Sequence, residues 1–198
     1  MGPVRTVAGG HGMSRHRAGE TVTYTVTWLE MDARPARPMA PLPGNIGGTI
    51  LRADDPPVWY FRALYDAVGR DYAWDDMHDE PEDKLKVMLH DPAVSMYTLM
   101  AAGWPHGFFL MDWRQEGRAE IANFGLVPQA IGRGLGAFLL DTAIQTGWER
   151  AGVRKLTVNT CTLDHPRALQ RYQKHGFQPV AQQQRSRVLR RDLPHPPA

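Results

Sequence analysis

Val127-Pro128-Gln129-Ala130-Ile131-Gly132-Arg133-Gly134-Leu135-Gly136 joins a strand-like run, residues 119–126, to a helical pattern in which Leu140, Ala143, Ile144 and Gly147 share one face. Three glycines therefore stand where a strand turns into a helix. Glycine lacks Cβ, so the backbone can approach a ligand closely and take unusual dihedrals. The first amides of a helix have no partner inside it, and the aligned peptide dipoles place partial positive charge at that end. Strand, glycine turn and helix start together make a cradle for an anion, most often a phosphate. Pro128 has no N–H to give to a ladder and helps to end the strand.

The spacing narrows the ligand. A dinucleotide fingerprint is G-x-G-x-x-G, usually in the first strand–helix unit of a domain. Here the run is G-x-G-x-G and comes two thirds of the way along. A P-loop needs Gly-Lys-Ser/Thr after its glycines, and Arg133-Gly134-Leu135 does not supply it. A second informative stretch lies downstream. Leu156-Thr157-Val158-Asn159-Thr160 reads as a short buried strand. Asp164-His165-Pro166 then reads as a helix start, a capping residue before a proline in the first turn. Ala168, Leu169 and Tyr172 fall on one face, Gly176 suits the position just past the helix end, and Phe177 begins another strand.

Together the two stretches resemble the GNAT superfamily of N-acetyltransferases. Ile131-Gly132-Arg133-Gly134-Leu135-Gly136 is similar to that family's coenzyme A loop, Arg/Gln-x-x-Gly-x-Gly/Ala, with Ile131 in place of Arg or Gln. Residues 165–177 are similar to its closing motif, Asn-x-x-Ala-x-x-x-Tyr-x-x-x-Gly-Phe, with His165 at the Asn position. The resemblance covers roughly residues 46–180. It implies an α/β fold with a mixed, twisted sheet, splayed at the cofactor site between residues 119–126 and 155–160, and with flanking helices. It implies acetyl-CoA as cosubstrate, with no metal. The amides of Gly132, Arg133, Gly134, Leu135, Gly136 and Ala137 would hold the pyrophosphate, with His165 a further contact. Main-chain groups of Leu126 and Val127 would meet the pantetheine arm. Tyr172 would protonate the departing thiolate, since a phenol of pKa about 10 carries its proton at neutral pH. Glu120, on the strand leading into the loop, is the candidate general base, and Asn123 and Asn159 are candidates to orient the acceptor. The resemblance also places Tyr72, Trp74 and Asp75 at the acceptor pocket.

Charge is nearly balanced over the 198 residues, 23 basic against 21 acidic, so net charge gives no support for a nucleic-acid partner. Its distribution is uneven. Residues 54–91 hold eleven acids and four bases, and residues 167–191 hold seven bases and no acid. Two solvated faces explain this. The alternative is an acidic wall for a small cationic amine and a basic rim for the cofactor phosphates. The single cysteine, Cys161, excludes an internal disulfide framework. No apolar run reaches the length of a membrane span, and residues 1–16 lack the apolar core of a signal peptide, so a cytoplasmic location and no membrane partner are expected. The histidines show no H-E-x-x-H, and none of the three serines lies in G-x-S-x-G.

Residues 1–19 are Gly-rich and expected to be disordered; residues 20–193 form one domain, opened at 20–45 by an extra strand and a Pro-rich linker. In that strand Val22, Tyr24, Val26 and Trp28 face one way and Thr21, Thr23, Thr25 and Thr27 the other, the pattern of a half-buried strand. The remaining order is strand, two helices, three strands, helix, strand, helix, strand. Only residues 178–192 remain after Phe177, room for one strand where the resemblance implies a hairpin. The extra strand is therefore expected to supply the missing pairing, within the chain or across a homodimer. Two other functions fit the same residues: a non-catalytic acyl-CoA-binding module, and a dimeric interaction protein.

Overall fold

The computed structural model describes residues 16–44 and 46–194. Most of the segment expected to be disordered, residues 1–15, lies outside the described residues. His16 is already held against the C-terminal segment by a bridge to Leu193, and the Gly19 N–H donates to Leu189 C=O at 2.8 Å.

Seven strands form one sheet: β1 (Thr21–Met31), β2 (Gly48–Ala53), β3 (Val94–Ala101), β4 (Trp104–Asp112), β5 (Arg118–Leu126), β6 (Lys155–Cys161) and β7 (Gln178–Val188). Their order is β2-β3-β4-β5-β6-β1-β7, antiparallel throughout except for the parallel pair β5–β6. Between β2 and β3 come α1 (Val58–Gly69), a single turn α2 (Asp76–Asp79) and α3 (Glu82–Leu89). Helix α4 (Leu135–Glu149) follows β5, and α5 (Ala168–Lys174) follows β6. Alternate residues of a strand face opposite ways. On β4, Phe108 meets Phe61 of α1 edge to face at 6.2 Å, whereas Met111 lies on the other face against Gly147 of α4. The sheet is thus covered by α1 on one side and α4 on the other, with a continuous apolar core on both.

The extra strand pairs within the chain. It fills the slot between β6 and β7, and among the described residues β7 has no other strand partner. The half-buried pattern holds at the start, where Val22 is buried and Thr21 and Thr23 are exposed, and gives way further along. Val26 and Thr27 are both buried, and Leu29 and Met31 continue the opposite face into the main core, because an interior strand is covered on both sides. The Pro-rich linker runs along α4. Asp141, 2% exposed, takes a two-pronged ion pair from Arg37 and the Ala40 N–H at 2.7 Å.

Helix α5 starts later than expected. Its N-cap is Arg167, not Asp164 or His165. Asp164 is engaged before the helix begins: its carboxylate accepts from Thr160 Oγ1 at 2.7 Å, from the Cys161 N–H at 2.8 Å and from Trp74 Nε1 at 3.1 Å. At the other end the expectation stands. Gly176 takes φ +106°, and the Phe177 N–H reaches back to Tyr172 C=O at 3.1 Å.

Candidate active site

Strands β5 and β6 separate part-way along. Their ladder runs only from Arg118–Lys155 to Ile121–Val158. On its other edge β5 carries a bulge: Leu110 of β4 faces Asn123 and Met111 faces Ile121, which leaves Ala122 unmatched. A cleft of about 750 Å³ opens at this point, bordered by the last five residues of β5.

The bulge leaves free backbone on the cleft side. The Val127 N–H donates to His106 C=O at 3.0 Å. Hydrogen-bonded and non-bonded pairs alternate along an antiparallel ladder. Leu126 and Phe124 therefore turn their N–H and C=O groups away from β4, toward the cleft. Val127 differs from expectation: its N–H is used by His106 and its C=O accepts from the Ala130 N–H at 2.9 Å. The main-chain groups that face the cleft are those of Leu126, as expected, and of Phe124, which the sequence reading passed over.

The glycine loop closes one end. Gly132 and Gly134 take φ +82° and +79°, and Gly134 is the N-cap of α4, where no side chain bonds the free amides and the first turn holds no acid. Leu135 is fully buried, so only its backbone reaches this end, and Arg133 is exposed on the loop. A Cβ on Gly136 would collide with the Arg171 guanidinium, which lies against the start of the helix. Arg171 and Arg167 border the cleft here, and neither makes an ion pair among the described residues. Among the described residues Gly132 has open space where a Cβ would be, and Gly134 has Pro43 of the linker at 3.3 Å. The loop is thus a backbone cradle with a guanidinium beside it, a fit for a pyrophosphate.

Tyr172 lines the cleft with its ring buried edge-on to Phe124 at 6.2 Å and Phe177 at 5.9 Å. Burial, reinforced by Asp164, holds its phenol well above the ordinary value, so the proton stays on. Glu120 lines the same cleft. It stands opposite Asp112 on β4 and Thr157 on β6, and Asn159 hydrogen-bonds its carboxylate. Burial, with the Asp112 charge adding, raises its pKa above the usual Glu value, against the pull of Arg114 and Asn159. A partly desolvated carboxylate of this kind is suited to accept a proton near neutral pH. Asn123 also borders the cleft.

His165 lines the cleft edge-on to Tyr72 at 6.3 Å. Its Nδ1 accepts from the Arg167 N–H at 3.1 Å, which leaves the proton of the neutral ring on Nε2. Burial and the charges of Arg167 and Arg171 lower its pKa. Burial, with Asp71 and Asp164, pushes the Tyr72 phenol up to about 12. Trp74 reaches the cleft but is fixed by Asp164 and packed on Tyr65 at 5.3 Å. Burial pushes the Cys161 thiol up to about 11, so the thiolate is disfavoured.

Asp75 does not present a free carboxylate. It is 1% exposed, with Arg191 Nη2 at 2.5 Å and Arg187 Nη2 at 3.6 Å. Asp66 bonds Arg191 at 3.0 Å, Asp76 bonds Arg187 at 3.2 Å, and Asp79 pairs with both prongs of Arg190. Four acids of the first run, Asp66, Asp75, Asp76 and Asp79, are therefore tied to three bases of the second, Arg187, Arg190 and Arg191. For these four the expected acidic wall is corrected, because charges used in pairs lend little net field to a passing cation. Among the described residues no group of three or more His, Cys, Asp or Glu side chains is arranged to hold a metal, and no helix is long and apolar enough to cross a membrane.

The geometry agrees with known proteins of one kind. A GCN5-related N-acetyltransferase from Kribbella flavida superposes with TM-score 0.54 at 17% identity, over 87% of this chain and 58% of that one. A putative GNAT-family acetyltransferase from Novosphingobium aromaticivorans gives 0.54 at 16%, over 83% and 65%. An aminoglycoside acetyltransferase from an uncultured soil metagenomic sample, in complex with trehalose, gives 0.52 at 16%, over 64% and 86%. The chain thus spans less than two thirds of the length of the first two. Among curated proteins none matches significantly in sequence. The sequence profile of the acetyltransferase (GNAT) family matches residues 55–177, which run from the loop before α1 to the start of β7 and take in the glycine loop, Glu120 and Tyr172. The chain belongs to the acetyltransferase (GNAT) family.

Proposed function

We propose that the protein is an acetyl-CoA-dependent N-acetyltransferase that acts on a small primary amine by direct transfer in a ternary complex. One observation carries this reading: a single cleft holds an open helix N-terminus, free β5 backbone, a protonated tyrosine and a base-competent carboxylate. The amides of the glycine loop through Ala137, with Arg171 beside them, hold the pyrophosphate. The backbone of Leu126 aligns the pantetheine arm, and N–H groups of Phe124 and Leu126 face the thioester oxygen as charge develops there. The thioester supplies an acetyl group already activated toward amines. Glu120, directly or through water, takes the proton from the amine, with Asn159 fixing the carboxylate. Tyr172 gives its proton to the departing sulfur, and His165 lines the cofactor side. A passive acyl-CoA binder has no use for a desolvated carboxylate on the acceptor side, which favours the enzyme.

Calorimetry with acetyl-CoA should give a dissociation constant of micromolar order, about −8 kcal/mol. Gly134→Glu places a negative side chain in the cradle at a positive φ, and should weaken binding about thirtyfold or more, with the left-handed backbone costing the fold only about 1–2 kcal/mol, so that binding is measured on folded protein. Unchanged affinity in that variant would refute the placement of the pyrophosphate. Thiol release from acetyl-CoA, followed over a panel of amines, tests turnover; binding without turnover on any amine would leave the passive binder.

A further inference from the structure

We infer that the acceptor carries a carboxylate as well as its amine, and that Arg185 on β7 holds it. This inference rests on the acetyltransferase reading above. Most charges bordering the cleft are already matched. Asp76 is taken by Arg187, and Asp112 by Arg114 at 2.5 Å. Asp164 is held by Trp74, Thr160 and the Cys161 N–H. Arg167 and Arg171 belong to the glycine-loop end, where the phosphates would lie. On the acceptor side two charged groups make no ion pair among the described residues: Glu120, beside neutral Asn159 and under the pull of an Arg114 that Asp112 already holds, and Arg185.

Arg185 stands on β7 opposite Tyr24, and its side chain reaches along the sheet toward the Glu120 end. Glu120 holds Asn159, which lies directly opposite Trp28 on β1. The Trp28 ring carries the Arg185 guanidinium at 5.4 Å. Gln183 Oε1 accepts from Arg185 Nε at 3.2 Å and Nη2 at 3.1 Å. A guanidinium has five donors in a planar fork. One edge is thus pinned by Gln183 and one face by Trp28, and the end fork of Nη1 and Nη2 remains open. That fork matches a carboxylate with two parallel hydrogen bonds. From Glu120 on β5 to Trp28 on β1, over which the guanidinium lies, the sheet crosses two strand spacings, about 10 Å. An amine placed at Glu120 and a carboxylate at Arg185 are therefore separated by several bonds. A second cation in place of the carboxylate would face Arg185 with no partner.

The test compares three acceptors of equal length: 6-aminohexanoate, hexylamine and 1,6-diaminohexane. Thiol release is followed in the wild type, Arg185→Gln and Arg185→Glu. The wild type should prefer 6-aminohexanoate over both others by about tenfold or more in kcat/KM, a typical weight for a partly exposed charge-assisted pair. Arg185→Gln should erase the preference through KM, and Arg185→Glu should turn it toward the diamine, with acetyl-CoA affinity unchanged in both. If the amines turn over without that preference, or the preference survives in Arg185→Gln, the inference fails and the enzyme reading stands. Calorimetry of 6-aminohexanoate on the CoA-loaded protein separates the remaining cases. Arg185-dependent binding without turnover keeps the carboxylate site and removes the enzyme reading. Neither binding nor turnover overturns the inference.

Discussion

Deletion of residues 1–31 is expected to leave a chain that does not reach the folded state. The cut removes β1, on which the whole right half of the sheet depends: β6 loses its antiparallel neighbour and β7 loses the strand it pairs with along its length. It also removes Val22, Val26, Leu29 and Met31, all buried. At about 1.5–3 kcal/mol for each buried apolar side chain, the four together represent about 6–12 kcal/mol. Typical domains are stable by only about 5–15 kcal/mol in total. A milder change reads the same quantity at equilibrium: Leu29→Ala should cost about 2–5 kcal/mol, because Leu29 is wholly buried. Urea titration measures the point variant, and light scattering with melting measures the truncation. A truncated chain that stays monodisperse with an unaltered melting temperature would show that β1 is an ornament on the sheet.

The strand itself was legible, and its place was not. Alternation from Thr21 to Trp28 marks a strand because successive side chains point to opposite faces. A period of two carries no information about which strands lie on either side. The shortage of chain after Phe177 was the only hint of pairing, and it left open whether one chain or two would supply it. Leu29 and Met31 were the overlooked signal, apolar residues on the face that Thr21, Thr23 and Thr25 had marked as polar. The glycine turn itself was far more readable, since such a run between strand and helix has few uses, and it does stand at the N-terminus of α4. The bulge at Ala122 left no mark in the composition of β5.

Charge was the hardest property to read. The acids of residues 54–91 and the bases of residues 167–191 lie more than a hundred positions apart for most pairs, as with Asp75 and Arg191. Only the hairpin-like return of β7 beside β1 brings them together. Net counts suggested two faces, whereas the fold ties Asp66, Asp75, Asp76 and Asp79 of one to Arg187, Arg190 and Arg191 of the other. Arg171 and Arg185 then stand out because they were left over, and leftover status is a property of the folded molecule alone. Glu120 escaped this difficulty. It sits in register with Asp112, and its neighbour Asn159 was already a candidate on β6.

Glu120→Gln and Tyr172→Phe should lower kcat by about 10²- to 10³-fold and about 10²-fold respectively, in line with general base and general acid contributions. Both keep shape and packing, so acetyl-CoA affinity should hold. The two pH profiles should differ. Burial and Asp112 raise the pKa of Glu120, so kcat/KM should fall as pH drops through a value above the ordinary 4.5. The Gln variant should lose that limb, with the ionisation of the amine common to both proteins. The Tyr172 phenol is raised by burial, so it should add no alkaline limb in the working range. Stability should move in the opposite sense for Glu120. A carboxyl whose pKa is higher folded than unfolded favours the neutral form in the fold. Its ionisation therefore costs stability, a cost absent at low pH that grows as pH rises from the unfolded value through the folded one. Gln carries no such cost, so the variant should be at least as stable as the wild type at pH 7 and above while nearly inactive. A variant that is less stable and retains both wild-type kcat and the acidic limb would make Glu120 a structural residue and move the search for the base to water alone.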